Sequence, residues 1–274
     1  MKSIVKSLIV AVVVLGMILG SIGIASAITN GQPDGDGHTY VGLAVFDAVY
    51  PDGTVGPAWR CSCSLLSPTI VLTAGHCTAG AVAARVWFDE IVEGNPNYPF
   101  SDETSYDGVP QTNPDFCMGC GNGLPEFDFR DVGVIELTEP VPSAVVDKYV
   151  ELPAAGLVDT LQNKTDLTIV GYGVQEQHHG GGPPFWTGLK LRLVAPSELF
   201  AANFVHSDEF IKITLNSARG TGGVCFGDSG GPELLEDTDT VLAVTSYGNR
   251  NCTGVGYSSR IDIPEVLQWI GGFL

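Results

Sequence analysis

Short apolar runs separated by turn residues dominate the chain from residue 28 onward. The runs are rich in β-branched and aromatic residues, which is typical of β-strands bounded by Gly, Pro, Asn and Asp. The predicted strands are Tyr40–Phe46, Cys63–Leu66, Ile70–Thr73, Ala83–Phe88, Val132–Leu137, Leu167–Tyr172, Gly188–Val194, Phe210–Leu215 and Val241–Tyr247. Thirty-five glycines and seventeen prolines suit the many tight turns between them. The pattern predicts an all-β protein, either a barrel or a sandwich.

A helical pattern occurs near the C-terminal end of the chain. Pro264 suits the first turn of a helix, apolar residues recur at helical spacing as far as Ile270, and Gly271-Gly272 ends the pattern. Residues 89–130 and 174–187 lack strand periodicity and are rich in Gly, Pro and polar residues, so we expect long surface loops there.

The first 27 residues read as a secretory signal peptide. Lys2 and Lys6 precede the apolar run Leu8–Ile24, and Ala25-Ser26-Ala27 provides a cleavage pattern. An uncleaved membrane anchor is the alternative, because the run nearly has the length of a bilayer span. The small residues at its end favour cleavage. We therefore expect a secreted, extracellular mature chain of residues 28–274, monomeric and without membrane attachment.

The charge balance is strongly acidic. The full chain carries 13 Lys and Arg against 31 Asp and Glu, a net charge of −18. Loss of residues 1–27 removes Lys2 and Lys6 and no acid, so the mature chain has eleven basic side chains against 31 acidic ones, a net charge of −20. Such acidity argues against nucleic acid as a partner.

Seven cysteines in an exported chain predict disulfides. The odd count leaves one thiol unpaired or paired between chains. Cys117 and Cys120 have the spacing of metal ligands, but no second CxxC or HxxxH pair completes a zinc site. His178 and His179 lie in a glycine-rich stretch, where an exposed loop explains them better than a metal site does.

Three short motifs carry the candidate chemistry. Gly227-Asp228-Ser229-Gly230-Gly231-Pro232 brackets a serine with glycines, which leaves its hydroxyl clear and lets nearby N–H groups converge. Thr73-Ala74-Gly75-His76-Cys77 supplies a base, and Asp131-Val132-Gly133-Val134 supplies an acid. The serine motif also fits the G-x-S-x-G elbow of lipases and esterases, but elbow enzymes place their histidine after the serine. All five histidines here precede Ser229, which argues against that class.

The three motifs, in this order, resemble the chymotrypsin/trypsin-like serine proteases, and the resemblance extends from Ile28 to the C-terminal helix. It implies two six-stranded antiparallel β-barrels, about residues 28–145 and 146–274, with the active site in the cleft between them. It also implies that Ser229 attacks the substrate carbonyl, that His76 is the general base and that Asp131 orients His76. Asp131 is favoured over Asp128 because it immediately precedes the apolar strand.

The same resemblance assigns supporting roles. The backbone N–H groups of Gly227 and Ser229 would form the oxyanion hole, and Ser246 would hydrogen-bond Asp131. A new N-terminus at Ile28 would insert into the protein and pair with Asp228. Because Ile28 directly follows the signal peptide, we expect signal removal itself to yield the active enzyme; the alternative is that Ile28 only begins a strand.

The resemblance also implies disulfides and a specificity pocket. The disulfides are Cys61–Cys77 and Cys225–Cys252, with Cys117–Cys120 as a third, local one, and Cys63 is left as a buried free thiol. The pocket would be formed by Gly223 at its base and by Val224, Ser246, Tyr247, Gly248 and Gly256. With no carboxylate at Gly223, a Lys or Arg preference loses its partner, so we expect an apolar pocket.

These expectations describe a secreted endopeptidase acting on proteins or peptides, with no required cofactor and no catalytic metal. A protease-like binding protein that has lost activity is the alternative class. The acids of residues 89–130 overlap the region where some relatives bind calcium, and oxygen ligands suit that ion. Solvated surface acids explain the same residues equally well.

Overall fold

The computed structural model describes residues 28–120, 129–178, 185–201 and 208–274, and the signal-peptide prediction lies outside them. In this part of the chain the strands are β1 Gln32–Pro33, β2 Val41–Val49, β3 Val55–Ser67, β4 Ile70–Thr73, β5 Ala83–Trp87, β6 Ser105–Thr112, β7 Gly133–Leu137, β8 Asp166–Gly171, β9 Glu176–His178, β10 Phe185–Thr187, β11 Leu193–Ala201, β12 Phe210–Leu215, β13 Pro232–Leu235, β14 Val241–Gly248 and β15 Gly254–Arg260. The helices are α1 Gly75–Thr78 and α2 Pro264–Gly271, with short 3₁₀ turns at Leu157–Thr160 and Ser217–Arg219.

The strands form two closed six-stranded antiparallel barrels, which confirms the predicted fold class. The first has the order β2-β3-β4-β7-β6-β5 and closes through the pairing of β5 with β2. The second has the order β11-β12-β15-β14-β13-β8 and closes through the pairing of β8 with β11. Closure leaves no barrel edge unpaired, which removes the usual hazard of exposed strand edges.

The N-terminal segment belongs structurally to the second barrel. Strand β1 pairs with β11, and Ile28 is fully buried in the same apolar cluster as Leu167 and Ile213. The first residues of the predicted mature chain therefore cross to the barrel that carries Ser229.

The C-terminal helix forms where the pattern predicted it. Pro264 occupies its first turn, and Val266 and Ile270 are fully buried against the core of the protein. None of the helices in the described ranges is long and apolar enough to cross a membrane.

The strand prediction for Gly188–Val194 is wrong in position. Leu189 is exposed and Leu191 makes only an isolated bridge with Ile91, whereas continuous pairing starts at Leu193 and runs to Ala201. The alternation of leucines mimics a strand, but strand hydrogen bonds require a neighbour, and β8 provides one only from Leu193 onward.

Strand β6 lies inside a stretch that we expected to be a loop. Its sequence is polar and contains Gly108 and Pro110, but it is held between β5 and β7. Gly108 is required there, because a Cβ atom would lie 2.6 Å from the Cγ2 of Ile135. Tertiary pairing thus overrides a weak local preference.

Candidate active site

The barrel topology brings His76 and Asp131 together. Strands β4 and β7 are antiparallel and pair Thr73 with Gly133 at one end. The chain leaving β4 therefore enters α1, which carries His76, beside the chain that enters β7 after Asp131. Gly75 allows this approach, because a Cβ atom there would lie 3.0 Å from the backbone nitrogen of Val132.

Asp131 is fully buried and holds His76 at two points. Its Oδ1 accepts a hydrogen bond from the backbone N–H of His76 at 2.6 Å, and its Oδ2 lies 2.8 Å from His76 Nδ1. Ser246 Oγ donates to the same Oδ2 at 2.5 Å. A ring proton on Nδ1 leaves Nε2 as the acceptor of the neutral imidazole, which is the form a general base needs.

The charge of Asp131 is stabilised despite its burial. Burial by itself raises the pKa of this carboxyl, but the electrostatic attraction of His76 and the hydrogen bonds from His76 and Ser246 outweigh it and lower the pKa. Asp131 is therefore ionised at neutral pH and stabilises positive charge on the imidazole.

The turn that carries Ser229 is attached to the first barrel by Ser62. Ser62 is fully buried on β3; its N–H donates to the carbonyl of Ser229 at 2.8 Å, and its Oγ donates to the carbonyl of Gly227 at 2.9 Å. The sequence reasoning did not identify Ser62 as a site residue. The only sequence signal is that Ser62-Cys63 follows Cys61 where chymotrypsin/trypsin-like proteases usually have Gly-Gly.

Glycine is necessary at two positions of this turn. Gly227 has φ of 97° and Gly230 has φ of 78°, conformations that L-residues rarely adopt. A Cβ atom at Gly230 would also lie 2.1 Å from Thr73 Oγ1. Among the described residues no acceptor engages the N–H of Gly227 or Ser229, so both donors are available to a substrate oxygen.

Ser229 and His76 line the same open cleft. This cleft has a volume of about 370 Å³ and is also bordered by Trp59, Arg60 and Ala79. The disulfide Cys61–Cys77 ties α1 to β3, and Trp59 Nε1 donates to the carbonyl of Cys77 at 2.8 Å.

A second cavity of about 230 Å³ begins at Ser229 and is mainly apolar. Its walls are formed by residues 224–226, by residues 245–249 and by Cys252. The predicted pocket residues Val224, Ser246, Tyr247 and Gly248 line it, and the disulfide Cys225–Cys252 closes one side.

Two predicted pocket residues lie behind this cavity. Gly223 exchanges backbone hydrogen bonds with Thr29 at 2.9 and 3.0 Å, and a Cβ atom at Gly256 would lie 3.3 Å from Val224 Cγ2. Gly223 thus contacts the N-terminal segment, and Gly256 packs against the wall at Val224. In the described part of the chain neither glycine lines the cavity.

Asp228 is fully buried next to the nucleophile. Its carboxylate accepts hydrogen bonds from the N–H groups of Gly173 and Cys225 at 2.8 and 2.9 Å. Burial raises the pKa of Asp228 to about 7, although these two hydrogen bonds and the charge of Arg60 lower it. In the full-length chain the nitrogen of Ile28 is an uncharged amide, and within the described ranges no ion pair joins it to Asp228.

The other cysteines are in a disulfide or buried, and the other candidate residues from the sequence lie wholly or partly outside the described residues. Cys117 and Cys120 form a local disulfide, and Cys63 is a buried free thiol that donates to the carbonyl of Gly42 at 3.3 Å. Burial raises the pKa of the Cys63 thiol. The side chain of His178 and the whole of Asp128 and His179 are not among the described residues.

Comparisons with known proteins agree with this architecture. A family model described as Trypsin matches residues 38–270. Serine protease 1 of Drosophila melanogaster is 27% identical over 250 residues, covering 90% of this chain and 85% of the relative. Brachyurin of Leptuca pugilator is 28% identical, covering 77% and 85%. The solved structure of HL collagenase aligns with a TM-score of 0.62 at 20% identity, covering 89% of this chain and 97% of that one.

Proposed function

Since this chain belongs to the trypsin family and is a serine endopeptidase, we propose that Ser229, His76 and Asp131 are its catalytic triad. The observation that carries the proposal is the buried Asp131 carboxylate, which binds both the backbone N–H and the Nδ1 of His76. That contact sets the ring tautomer and places Nε2 as the base.

The reaction proceeds through an acyl-enzyme. Ser229 Oγ attacks the carbonyl carbon of the scissile bond while its proton passes to His76 Nε2, and the N–H groups of Gly227 and Ser229 bind the oxyanion. The imidazolium then protonates the leaving amine, and the C–N bond breaks. Water then attacks the acyl carbonyl carbon while His76 Nε2 takes its proton. The bond between that carbon and Ser229 Oγ breaks, and the imidazolium returns the proton to Ser229 Oγ as the peptide acid leaves.

A fluorophosphonate probe tests this assignment, because it reacts only with an activated serine. We expect labelling of the secreted protein that Ser229→Ala abolishes and that Ser143→Ala, a change at an exposed serine, leaves intact. Absence of labelling in correctly folded protein would instead support a catalytically silent binding protein.

We propose that the 230 Å³ cavity holds the substrate side chain on the acyl side of the scissile bond. Its walls are mainly apolar, and none of the described residues that line it is an Asp or Glu, which favours large apolar or aromatic substrate side chains over arginine. Peptide p-nitroanilides that differ only at this residue test the preference. Cleavage of an arginine substrate far faster than phenylalanine or leucine substrates would contradict it.

We also propose that secretion and activation are one event. Cleavage after Ala27 would release an extracellular chain whose Ile28 ammonium pairs with Asp228, and the burial of both residues supports this. N-terminal sequencing of secreted protein should begin Ile-Thr-Asn-Gly. A start several residues away would refute the proposal.

A structural calcium ion near residues 89–130 stays a prediction. Asp102 accepts hydrogen bonds from Trp87 and Thr104, so part of the acidity there already has protein donors. Residues 121–128 of this stretch are not among the residues that the structure describes. A melting temperature that falls when EDTA is added would support calcium binding.

A further inference from the structure

A further buried acid, Glu233, lies behind the substrate cavity and has no place in the catalytic steps. Its side chain is on β13 and is fully buried. Oε1 accepts hydrogen bonds from Thr245 Oγ1 at 3.1 Å and from Ser258 Oγ at 2.8 Å. Oε2 has no hydrogen-bond partner in the described part of the chain. Carboxyl groups are rarely buried with an unsatisfied oxygen, so Glu233 calls for an explanation.

Thr245 connects Glu233 to the cavity. It lies on β14 and is one of the residues that line the cavity beside Ser246 and Tyr247. A threonine hydroxyl has one proton and two lone pairs. When Glu233 is ionised it can only accept, so the Thr245 proton is committed to Glu233 and the Thr245 oxygen acts only as an acceptor toward any other group. When Glu233 is protonated it can donate to Thr245, and the Thr245 proton is then released to point elsewhere.

The charge on Glu233 changes close to neutral pH. Burial raises its pKa to about 7; the hydrogen bonds from Ser258 and Thr245 lower the pKa, and the charge of Asp228 raises it further. Among the described residues no Lys, Arg or His forms an ion pair with Glu233, so the change in charge is not compensated locally.

Among the described residues, the neighbouring strands supply no other titratable group that could place a pH-dependent charge beside Thr245. The titratable groups on the strands packed against β13 or bonded to Glu233 are Asp166 on β8, Tyr247 on β14, and Tyr257 and Arg260 on β15. Asp166 is exposed at the start of β8, and Arg260 is paired with Asp159 and Asp262 at 3.0 and 2.9 Å. The rings of Tyr247 and Tyr257 stack on each other at 4.8 Å.

We propose that Glu233 is a positioning residue which, acting through Thr245, gives this apolar cavity a pH-dependent preference for substrate side chains that end in a hydrogen-bond donor. The inference rests on the proposed function, in which this cavity binds the substrate side chain. At high pH the ionised carboxylate and the acceptor oxygen of Thr245 weaken the discrimination of this apolar cavity against a donor or cation. At low pH the charge is lost and the Thr245 hydroxyl can donate as well as accept, so the advantage of a side chain that ends in a donor falls.

Two p-nitroanilide peptides that are identical except for lysine or norleucine before the scissile bond provide the test. The two side chains have similar length, but only lysine ends in a donor. The ratio of kcat/KM for lysine to that for norleucine is measured from pH 5.5 to 9 on the protein that begins at Ile28. Protonation of His76 affects the catalytic steps common to both substrates, so it cancels in this ratio. We expect the ratio to rise about tenfold through pH 7, as for a hydrogen bond to a charged group.

Glu233→Gln should flatten this pH dependence and lower the ratio at pH 9 by about tenfold, while norleucine cleavage per labelled active site changes little. Thr245→Val, which removes the connecting hydroxyl, should also lower the ratio. Glu236→Gln makes the same chemical change at an exposed position just after β13 and should behave as wild type.

A wild-type ratio that is constant with pH overturns the inference, and this measurement needs no variant to fold. A ratio unchanged by Glu233→Gln at pH 9 overturns it as well. In both cases norleucine is still cleaved, so the proposed function stands. If neither norleucine nor phenylalanine peptides are cleaved, the proposed function fails, and this inference fails with it.

Discussion

The state of the Ile28 nitrogen should control how the stability of this protein depends on pH. Four proteins are compared. One pair begins at Ile28 and the other pair retains residues before Ile28, and each pair consists of the Asp228 chain and its Asp228→Asn variant. In the extended chain the nitrogen is an amide, and Asp228 is buried with only N–H donors for its carboxylate. In the chain that begins at Ile28 a positive ammonium is available to offset the buried charge.

The magnitude follows from the raised pKa of Asp228. A pKa of about 7 in the folded extended chain, against 3.8 for an ordinary Asp, corresponds to about 4 kcal/mol. Between these two values the folded state binds a proton that the unfolded state has lost. The free energy of unfolding of the extended chain should therefore fall as pH rises from about 4 to about 7, by as much as that amount. An ammonium partner lowers the folded pKa and removes most of the loss.

Urea unfolding at pH 4 and pH 8 measures this effect, with Ser229→Ala in every chain to prevent self-digestion. We expect the extended chain to lose several kcal/mol of stability between the two pH values, and Asp228→Asn to remove about 4 kcal/mol of that loss. Asp36→Asn, at an exposed acid, should leave it unchanged. Equal pH dependence for Asp228 and its Asn variant in the extended chain would refute the reasoning, as would equal dependence for the two N-termini.

Three further changes test the site and the fold. Ser246→Ala removes a hydrogen bond to the Asp131 carboxylate and should lower kcat by about tenfold or more in steady-state assays, with KM nearly unchanged; an unchanged kcat would remove Ser246 from the site. Gly227→Ala places a Cβ where φ is 97°, which should turn the N–H that binds the oxyanion away from the substrate and lower kcat/KM by about 100-fold. The rate of fluorophosphonate labelling should fall as well. Arg85→Ala leaves the buried Asp47 carboxylate without its partner and should cost about 3–5 kcal/mol in urea unfolding, with activity per folded molecule retained.

Local chemistry explains which parts of the fold could be predicted. The strands Ile70–Thr73 and Phe210–Leu215 are mainly apolar runs that match β4 and β12, and Pro264 begins the C-terminal helix. Such segments carry their own signal, because burial of most positions on both faces selects mainly apolar residues. Strand β6 carries no such signal, since its pairing comes from neighbours distant in sequence.

The same division holds for the candidate site. The motifs around His76, Asp131 and Ser229 are local patterns of residue type, so the candidate triad is visible in the chain alone. Ser62 is not, because its role is to bond the Ser229 turn across the two barrels, and a single buried serine has no pattern.

The sequence by itself determined the all-β class, through its periodicity, and the candidate nucleophile, base and acid, through short runs of reactive residues. The two-barrel expectation followed from the resemblance of those motifs to the chymotrypsin/trypsin-like proteases. Only the tertiary structure decided that Gly223 and Gly256 lie behind the cavity, that Ile28 packs in the second barrel, and that Glu233 is a buried acid bonded to a cavity residue. Burial, pKa and hydrogen-bond partners arise when segments far apart in sequence meet, and they are therefore properties of the folded chain.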